Sequence, residues 1–172
     1  MERLSLKQKA YEAIRHKIVS LELAPGAVID ESALMEELNV GRTPIREALQ
    51  RLALEKLVVI VPRRGMFVTE IGITDLHRLY EVRVELEELA AQLAAQRGRQ
   101  IHWQRMAEVL AQLDDESEET DNEILIAIDA ACHEIMYEAA DNEFLQDTLN
   151  TMYALSLRLW YYSLTKMGKM HS

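Results

Sequence analysis

Arginines are concentrated at two points in the first 70 residues, where the flanking residues predict a helix start and a turn. The outward-facing positions at the helix start, with the residue before it, are Arg42, Thr43, Arg46 and Gln50. At the turn, Arg63 and Arg64 precede Gly65. Arginine can bind a phosphate or both acceptors of a guanine edge, and glycine lets the backbone approach a ligand closely. These residues therefore suit contact with a nucleic acid, although each could also be an ordinary solvated surface residue.

The spacing of apolar residues predicts the elements that position these arginines. A first helix ends at Pro25-Gly26, and Asp30 is the expected cap of a second helix. We expect Thr43 to cap a third helix with Pro44 at its first position. The apolar stripe of this third helix is Ile45, Ala48, Leu49, Leu52 and Ala53. Helix, tight turn and helix in this order predict a helix-turn-helix, whose second helix enters the major groove of DNA by its N-terminal part.

The residues after Lys56 predict a β-hairpin and then helices only. VVIVP and MFVTE flank the Arg63-Arg64-Gly65 tip. Helical spacing then continues over four segments, at about 74–98, 100–113, 122–140 and 143–163, with DDESEETDNE as a solvated acidic loop. The expected inward face of the first segment is Leu76, Leu79, Val82, Leu86, Leu89, Ala90 and Leu93. The prediction is a mainly α protein, with a helix-turn-helix and small hairpin in residues 1–70 and an all-α bundle in residues 71–172.

Charge is divided unevenly between these two predicted domains. The net charge is −10, yet residues 1–70 hold 11 Lys and Arg against 10 Asp and Glu, whereas residues 71–172 hold 8 against 19. An acidic second domain is repelled by a polyanion, which leaves the first domain to face DNA. The sequence has no apolar segment of membrane-spanning length, no secretory leader pattern and a single cysteine, Cys132. We therefore expect a cytoplasmic protein that makes no membrane contact.

The first domain resembles the winged-helix domain of GntR-family bacterial transcription regulators. The similarity extends from about Ile14 to Val68 through PGAVIDESALMEELNVGRTPIREALQRLALEKLVVIVPRRGMFV. It implies a DNA-binding transcription regulator with contacts from Arg42, Thr43, Arg46 and Gly65, and with Arg63 and Arg64 at the wing tip. Gly41 stands where the family usually has serine, and Ile45 where it often has valine. The glycine removes a possible phosphate contact but leaves the arginines in place.

The start of the second domain, ITDLHRLYEVRVELEELAAQLAA, resembles the FCD effector domain of the FadR subfamily. This resemblance implies an all-α bundle that binds a small organic acid, often around a divalent metal held by one Asp and three His residues. Asp129 and His133 match two of these ligands, and their spacing of four residues places both on one helical face. Carboxylate and imidazole suit zinc, nickel or a similar ion. Alternatively, Asp129 and His133 pair with each other or with an arginine.

Arg83 is the expected partner of a carboxylate effector, and the alternative is an ion pair with Glu87 one helical turn away. His171 falls short of the position of the next histidine ligand in the family. We therefore expect a domain truncated at its C-terminal side, with about four helices present and the final two missing. Truncation would expose Tyr153, Leu157, Trp160 and Tyr161. We expect a second subunit, swapped helices or a further segment to cover them.

The combined hypothesis is a homodimeric regulator that binds a palindromic operator and senses a small carboxylate. It is not expected to be an enzyme. The competing hypotheses are a metal-dependent enzyme built on Asp129 and His133, and a helical interaction module for which the winged helix is only a scaffold. DNA binding that depends on Arg42 and Arg46 would separate the first hypothesis from both others.

Overall fold

Seven α-helices and one β-hairpin form the part of the chain that the computed structural model describes, residues 5–113 and 122–168. The elements are α1 (Leu6–Val19), α2 (Glu31–Leu38), α3 (Arg42–Leu54), β1 (Val58–Val61), β2 (Gly65–Val68), α4 (Ile73–Arg97), α5 (Gln100–Leu110) with a 3₁₀ turn (Ala111–Leu113), α6 (Asn122–Ala139) and α7 (Glu143–Gly168). The predicted fold class is confirmed. Most of the predicted acidic loop DDESEETDNE, and His171, lie outside the described residues. In the described part, no helix combines the length and apolarity needed to cross a bilayer.

Side-chain caps fix the start of the second helix as predicted, whereas the third begins earlier than predicted. The Asp30 carboxylate accepts hydrogen bonds from the backbone N–H groups of Ser32 and Ala33, at 2.8 and 3.1 Å. Gly41, in extended backbone, is the N-cap of α3, and no side chain caps this helix. Thr43 and Pro44 therefore lie within the first turn. Proline is tolerated there because the first four N–H groups of a helix have no intrahelical acceptor.

The predicted hairpin is confirmed, with an antiparallel register that pairs Val58 with Val68 and Val61 with Gly65. Before α2, Val28 forms a single antiparallel bridge to Phe67 of β2. The turn contains Arg63 at φ 63°, followed by Gly65 at φ 108°. A Cβ added at Gly65 would meet nothing within 4 Å. Glycine is therefore required at this position by the backbone conformation rather than by packing inside the chain.

The chain divides into two compact units: residues 1–76 with 153–172, and residues 77–152. The core of the first unit is formed by fully buried aliphatic residues of the helix-turn-helix and hairpin, Ile14, Ile18, Ile45, Leu49, Leu52, Leu57 and Val68. Ala154 joins this core, and Leu157 and Tyr161 pack against it. The expectation that another subunit or segment must cover these α7 side chains is therefore wrong for Leu157 and Tyr161. Trp160 is 59% exposed.

Arg158, in the second half of α7, forms hydrogen bonds with Thr69, the residue that follows the hairpin. It is buried, and its Nη1 and Nη2 donate to the Thr69 hydroxyl and carbonyl at 2.8 and 2.7 Å. The hydroxyl of Thr69 in turn donates to the carbonyl of Lys56 at 2.8 Å. Burial lowers the pKa of Arg158 to about 10, against the opposing field of Glu70. The guanidinium thus ties α7 to the base of the hairpin through backbone and hydroxyl oxygens.

The second unit buries only part of the α4 face that the sequence predicts to be inward. Val82 and Leu89 are 47% and 41% exposed, so their inward assignment is wrong. Ala90 is buried as predicted and Leu86 and Leu93 pack against the core, while Ala94 and Arg83 are buried although they were not assigned inward. Two adjacent stripes on this helix contain apolar residues, and their periodicity alone does not decide between them. Ala90 and Ala94 lie in a core shared with Tyr137 of α6 and with α7.

Candidate functional site

The exposed face of α3 and the tip of the hairpin hold every residue that the sequence assigned to DNA contact. Arg42, Thr43, Arg46, Gln50, Arg63, Arg64 and Gly65 are all exposed. Burial of Ile45, Ala48, Leu49 and Leu52 on the opposite side of α3 turns the polar side of that helix outward. Within the described residues, Arg42, Arg63 and Arg64 form no ion pair, whereas Arg46 pairs with Glu31. The surface can therefore donate hydrogen bonds and positive charge to an external anion.

A polar cluster links α4 and α6 inside the second unit. We call it the α4–α6 cluster, and its members are Arg83, Glu87, His133 and Tyr137. One carboxylate oxygen, Glu87 Oε1, accepts from Arg83 Nε and Nη2 at 2.9 and 2.7 Å and from the Tyr137 hydroxyl at 2.8 Å. The same oxygen lies 3.3 Å from His133 Nε2. The alternative of an Arg83–Glu87 ion pair is thus what the structure contains, and Arg83 is only 6% exposed.

The pKa values within this cluster shift in the directions that stabilise its charges. Burial alone would raise the pKa of Glu87, but hydrogen bonds from His133, Tyr137 and Arg83 outweigh it and lower this pKa to about 2. Burial lowers the pKa of His133, but the bonds to Glu87 and to the Asp129 backbone reverse this and raise it. Burial and the Glu87 hydrogen bond both raise the pKa of Tyr137. Glu87 is therefore an anion that three neighbouring donors hold in place.

Asp129 and His133 lie together on α6, as their spacing predicts, but they do not make a metal site by themselves. Asp129 Oδ2 is 3.5 Å from His133 Nδ1, and that nitrogen donates to the Asp129 backbone carbonyl at 2.8 Å. The other ring nitrogen has the Arg83 guanidinium at 3.3 Å. Among the described residues, no three His, Cys, Asp or Glu side chains form a ligand set. A cation beside His133 would also be repelled by Arg83, so these residues alone do not fit a divalent metal.

An apolar groove of about 360 Å³ opens beside His133. Its lining comes from three helices of the second unit, namely Ala91, Ala94 and Ala95 of α4, Trp103 and Met106 of α5, and Cys132, His133 and Met136 of α6. Burial and the nearby Asp129 raise the pKa of the Cys132 thiol, which keeps that thiol protonated and neutral. His133 is therefore the group in this lining that can carry charge near neutral pH. The volume lies within the range of small-molecule sites.

The sequence did not identify two residues at these sites, Tyr137 and Glu31. Tyr137 follows His133 by four residues, so the helical spacing that linked Asp129 to His133 could have identified it. Glu31 lies 15 residues before its partner Arg46, on a different helix, and no local pattern connects the two. A contact between two helices, such as that of Glu31 with Arg46, depends on how the helices pack.

Two family models match almost the whole chain. The model described as bacterial regulatory proteins of the gntR family matches residues 6–68. The model of the FCD domain matches residues 78–172. The first match covers the helix-turn-helix and hairpin, and the second includes the α4–α6 cluster and the groove.

Relatives and solved structures agree with both matches. The HTH-type transcriptional repressor RspR of Escherichia coli (strain K12) is 30% identical over 167 residues, 92% of this chain and 69% of that protein. The Nta operon transcriptional regulator of Aminobacter aminovorans is 33% identical over 134 residues, 78% of this chain and 63% of that protein. The E. coli McbR/YncC structure superposes with a TM-score of 0.81 at 25% identity, covering 93% of this chain and 76% of that one. These proteins are transcription regulators rather than enzymes.

Proposed function

The chain belongs to the GntR family of DNA-binding transcription regulators and carries an FCD domain, and on that premise we propose how it recognises DNA and what controls it. Residues 1–70 bind a palindromic operator in a homodimer, through Arg42, Thr43, Arg46, Gln50, Arg63, Arg64 and Gly65. Residues 71–172 dimerise and bind a small organic acid. Binding of the acid favours one of two states of the protein that differ in operator affinity.

One observation supports the proposed DNA-binding surface. Arg42, Arg63 and Arg64 project into solvent without an ion pair in the described part of the chain, although acidic residues are abundant. Several arginines elsewhere are engaged internally, such as Arg83 with Glu87 and Arg97 with the carbonyls of Ala140 and Asp141. The exposed guanidinium of Arg42 also lies at the N-terminus of α3, where it adds to the positive end of the helix dipole and favours phosphate.

Substitution of Arg46 tests base recognition at this surface. Wild-type protein first selects its preferred duplex from a random library, and affinity is then measured by fluorescence anisotropy. Arg46→Ala should weaken binding to that duplex by on the order of tenfold or more and relax the preference at one base pair. Arg105→Ala, which removes a cation from the second unit, is the control. Unchanged affinity and preference in Arg46→Ala would remove Arg46 from the proposed interface.

For the effector, the geometry favours the groove beside His133. An apolar lining suits the hydrocarbon or aromatic body of a small acid, while the positive charge of a protonated His133 attracts its carboxylate, although both ring nitrogens already have partners inside the protein. Two carboxylates compete for this imidazole: Glu87 Oε1 lies 3.3 Å from Nε2, and the 59% exposed Asp129 lies 3.5 Å from Nδ1, both beyond a strong hydrogen bond. The proposed effector is therefore a monocarboxylic acid with an apolar body rather than a highly charged metabolite.

In this proposal Arg83 does not contact the effector directly and instead acts electrostatically through His133. Its Nη2 lies 3.3 Å from His133 Nε2, so its charge adds to the positive field at the imidazole, although Glu87 engages its donors. Direct contact between Arg83 and the effector remains a prediction that requires Glu87 to release the guanidinium. Divalent metal binding by Asp129 and His133 also remains a prediction, and it requires ligands other than the residues that the structure describes.

Trp103 provides a direct probe of the groove. The chain has two tryptophans, so a Trp160→Phe protein retains Trp103 as its single indole fluorophore. Titration with a panel of aliphatic and aromatic monocarboxylic acids should change this fluorescence, while the matched primary amides should not. Binding should weaken in His133→Gln. A panel that leaves both the fluorescence and the thermal midpoint unchanged would refute the effector proposal without affecting the proposal for DNA.

The exposed stripe on α4 supports dimerisation between identical chains. Val82 and Leu89 lie seven residues apart on one exposed face, beside Leu86 and Leu93, which pack against the core of the second unit. A second copy presents the same stripe, so an isologous contact would bury both. Leu89→Glu should convert a dimer into a monomer by light scattering, with Leu54→Glu as the control at another exposed leucine. Wild-type protein that is monomeric at micromolar concentration would contradict this.

A further inference from the structure

Arg46 is held by a partner from another helix before any DNA is bound. Its Nε donates to Glu31 Oε2 at 2.7 Å, and its Nη2 approaches Glu31 Oε1 at 3.4 Å. The Arg46 side chain is 54% exposed, whereas that of Glu31 is 25% exposed. Arg42, four residues earlier on the same helix, has no comparable partner among the described residues. The pair therefore singles out one arginine on the exposed face of α3.

Glu31 is itself fixed in place by the local structure. It is the first residue of α2, directly after Asp30, whose carboxylate caps that helix through Ser32 and Ala33. The backbone of Glu31 is thus part of a capped helical turn rather than of a loop. A charge-assisted pair to a guanidinium is strong and directional, so Glu31 restricts the rotamers that Arg46 can adopt.

The pairing leaves one edge of the guanidinium available. Glu31 occupies the edge formed by Nε and one terminal nitrogen, while the edge formed by the two terminal nitrogens remains available to an outside acceptor. Bidentate recognition of guanine O6 and N7 requires two such donors in a fixed plane. A guanidinium whose plane is set in advance loses less rotational freedom on binding.

We propose that Glu31 is a positioning residue that orients Arg46 for recognition of one guanine and so increases sequence discrimination. This inference rests on the proposed DNA-binding role of Arg46. Two opposite effects are expected from Glu31, because a carboxylate near a phosphate backbone is also repelled by it. Removing Glu31 should therefore weaken discrimination at one base pair while slightly strengthening binding to any duplex.

The experiment compares three variants on two kinds of DNA. Glu31→Ala, Glu31→Gln and Glu36→Gln are measured against the duplex that wild-type protein selects from a random library, and against single-base-pair variants of it. Glu36 is an exposed residue of the same helix, so its substitution reproduces the loss of charge without touching Arg46. Glu31→Ala should reduce the preference at one base pair by on the order of tenfold. Glu31→Gln, which can still accept one hydrogen bond, should lie between Glu31→Ala and wild type, and Glu36→Gln should keep the full preference.

A double substitution shows whether Glu31 acts through Arg46. Glu31→Ala combined with Arg46→Ala should discriminate no worse than Arg46→Ala alone. If Glu31→Ala binds the selected duplex more tightly with its base preference intact, the pair restrains Arg46 instead, and the positioning role is wrong. If Arg46→Ala itself leaves the preference intact, the proposed interface fails, and with it this inference. A loss that is equal at every base pair, together with a lower thermal midpoint, would indicate damage to α2 and would also overturn the role.

Discussion

Arginine is used in opposite ways in two regions of this molecule. On α3 and the hairpin tip, the guanidiniums of Arg42, Arg63 and Arg64 are exposed and carry no internal ion pair in the described structure. In the α4–α6 cluster, Arg83 is 6% exposed and is bound by Glu87. In the first region the positive charge is available to an external polyanion. In the second region the charge of Arg83 is neutralised inside the fold by the Glu87 carboxylate. The role of an arginine here therefore follows from its burial and its partners rather than from its residue type.

Substitution of Glu87 should give the largest effect that separates the two regions. Glu87→Ala leaves the buried Arg83 without its carboxylate, and losing one partner of a buried pair is costly. We expect the free energy of unfolding to fall by about 3 kcal/mol in urea titrations at neutral pH. Glu88→Ala is the matched control, because Glu88 is exposed and accepts a hydrogen bond from Gln92 on its own helix. Similar midpoints for both variants would mean that the cluster adds nothing to stability.

Substitution of the tip arginines should give the reverse pattern. Arg63→Ala combined with Arg64→Ala should lower affinity for every duplex sequence and leave the unfolding midpoint nearly unchanged. For every phosphate that the variant no longer binds, the slope of log affinity against log salt concentration should become shallower by about 0.9. The measurement is a salt series of anisotropy titrations on selected and random duplexes. A salt dependence as steep as that of wild type would show that the tip does not contact the backbone.

The pH dependence of stability should give the smallest effect, and it belongs to the α4–α6 cluster. The pKa of His133 is raised above its ordinary value of 6.5 in the folded protein, through Glu87 and the Asp129 backbone and against burial. Its contribution is therefore fully present below pH 6.5 and is lost as pH rises through the folded pKa. One proton limits the slope to at most about 1.4 kcal/mol per pH unit.

Unfolding measured from pH 6 to pH 8.5 should show this loss in wild type but not in His133→Gln. The groups that face His133 are Arg83, Glu87, Asp129 and Tyr137. Of these, Glu87 has a pKa of about 2 and stays ionised throughout the range. A wild-type curve parallel to that of His133→Gln would show that His133 does not titrate with folding.

The sequence alone determined the local structure and most of the candidate DNA surface. Caps, turn residues and periodicity act over a few residues, which is why the Asp30 cap, the hairpin with its tip at Gly65 and the outward face of α3 could all be predicted. The same spacing rule placed Asp129 beside His133. It missed the start of α3, because extended Gly41 ends the preceding turn without a side-chain cap.

Tertiary structure decided what those residues contact. Periodicity assigned both Ala90 and Val82 to the inward face of α4, and packing in the second unit buried Ala90 and Arg83 but left Val82 exposed. Packing also placed Leu157 and Tyr161 on the first core, and Glu31 against Arg46. Contacts of this kind join residues far apart in the chain, where no periodic or capping signal exists. Their outcome depends on which faces fit together once the helices have formed.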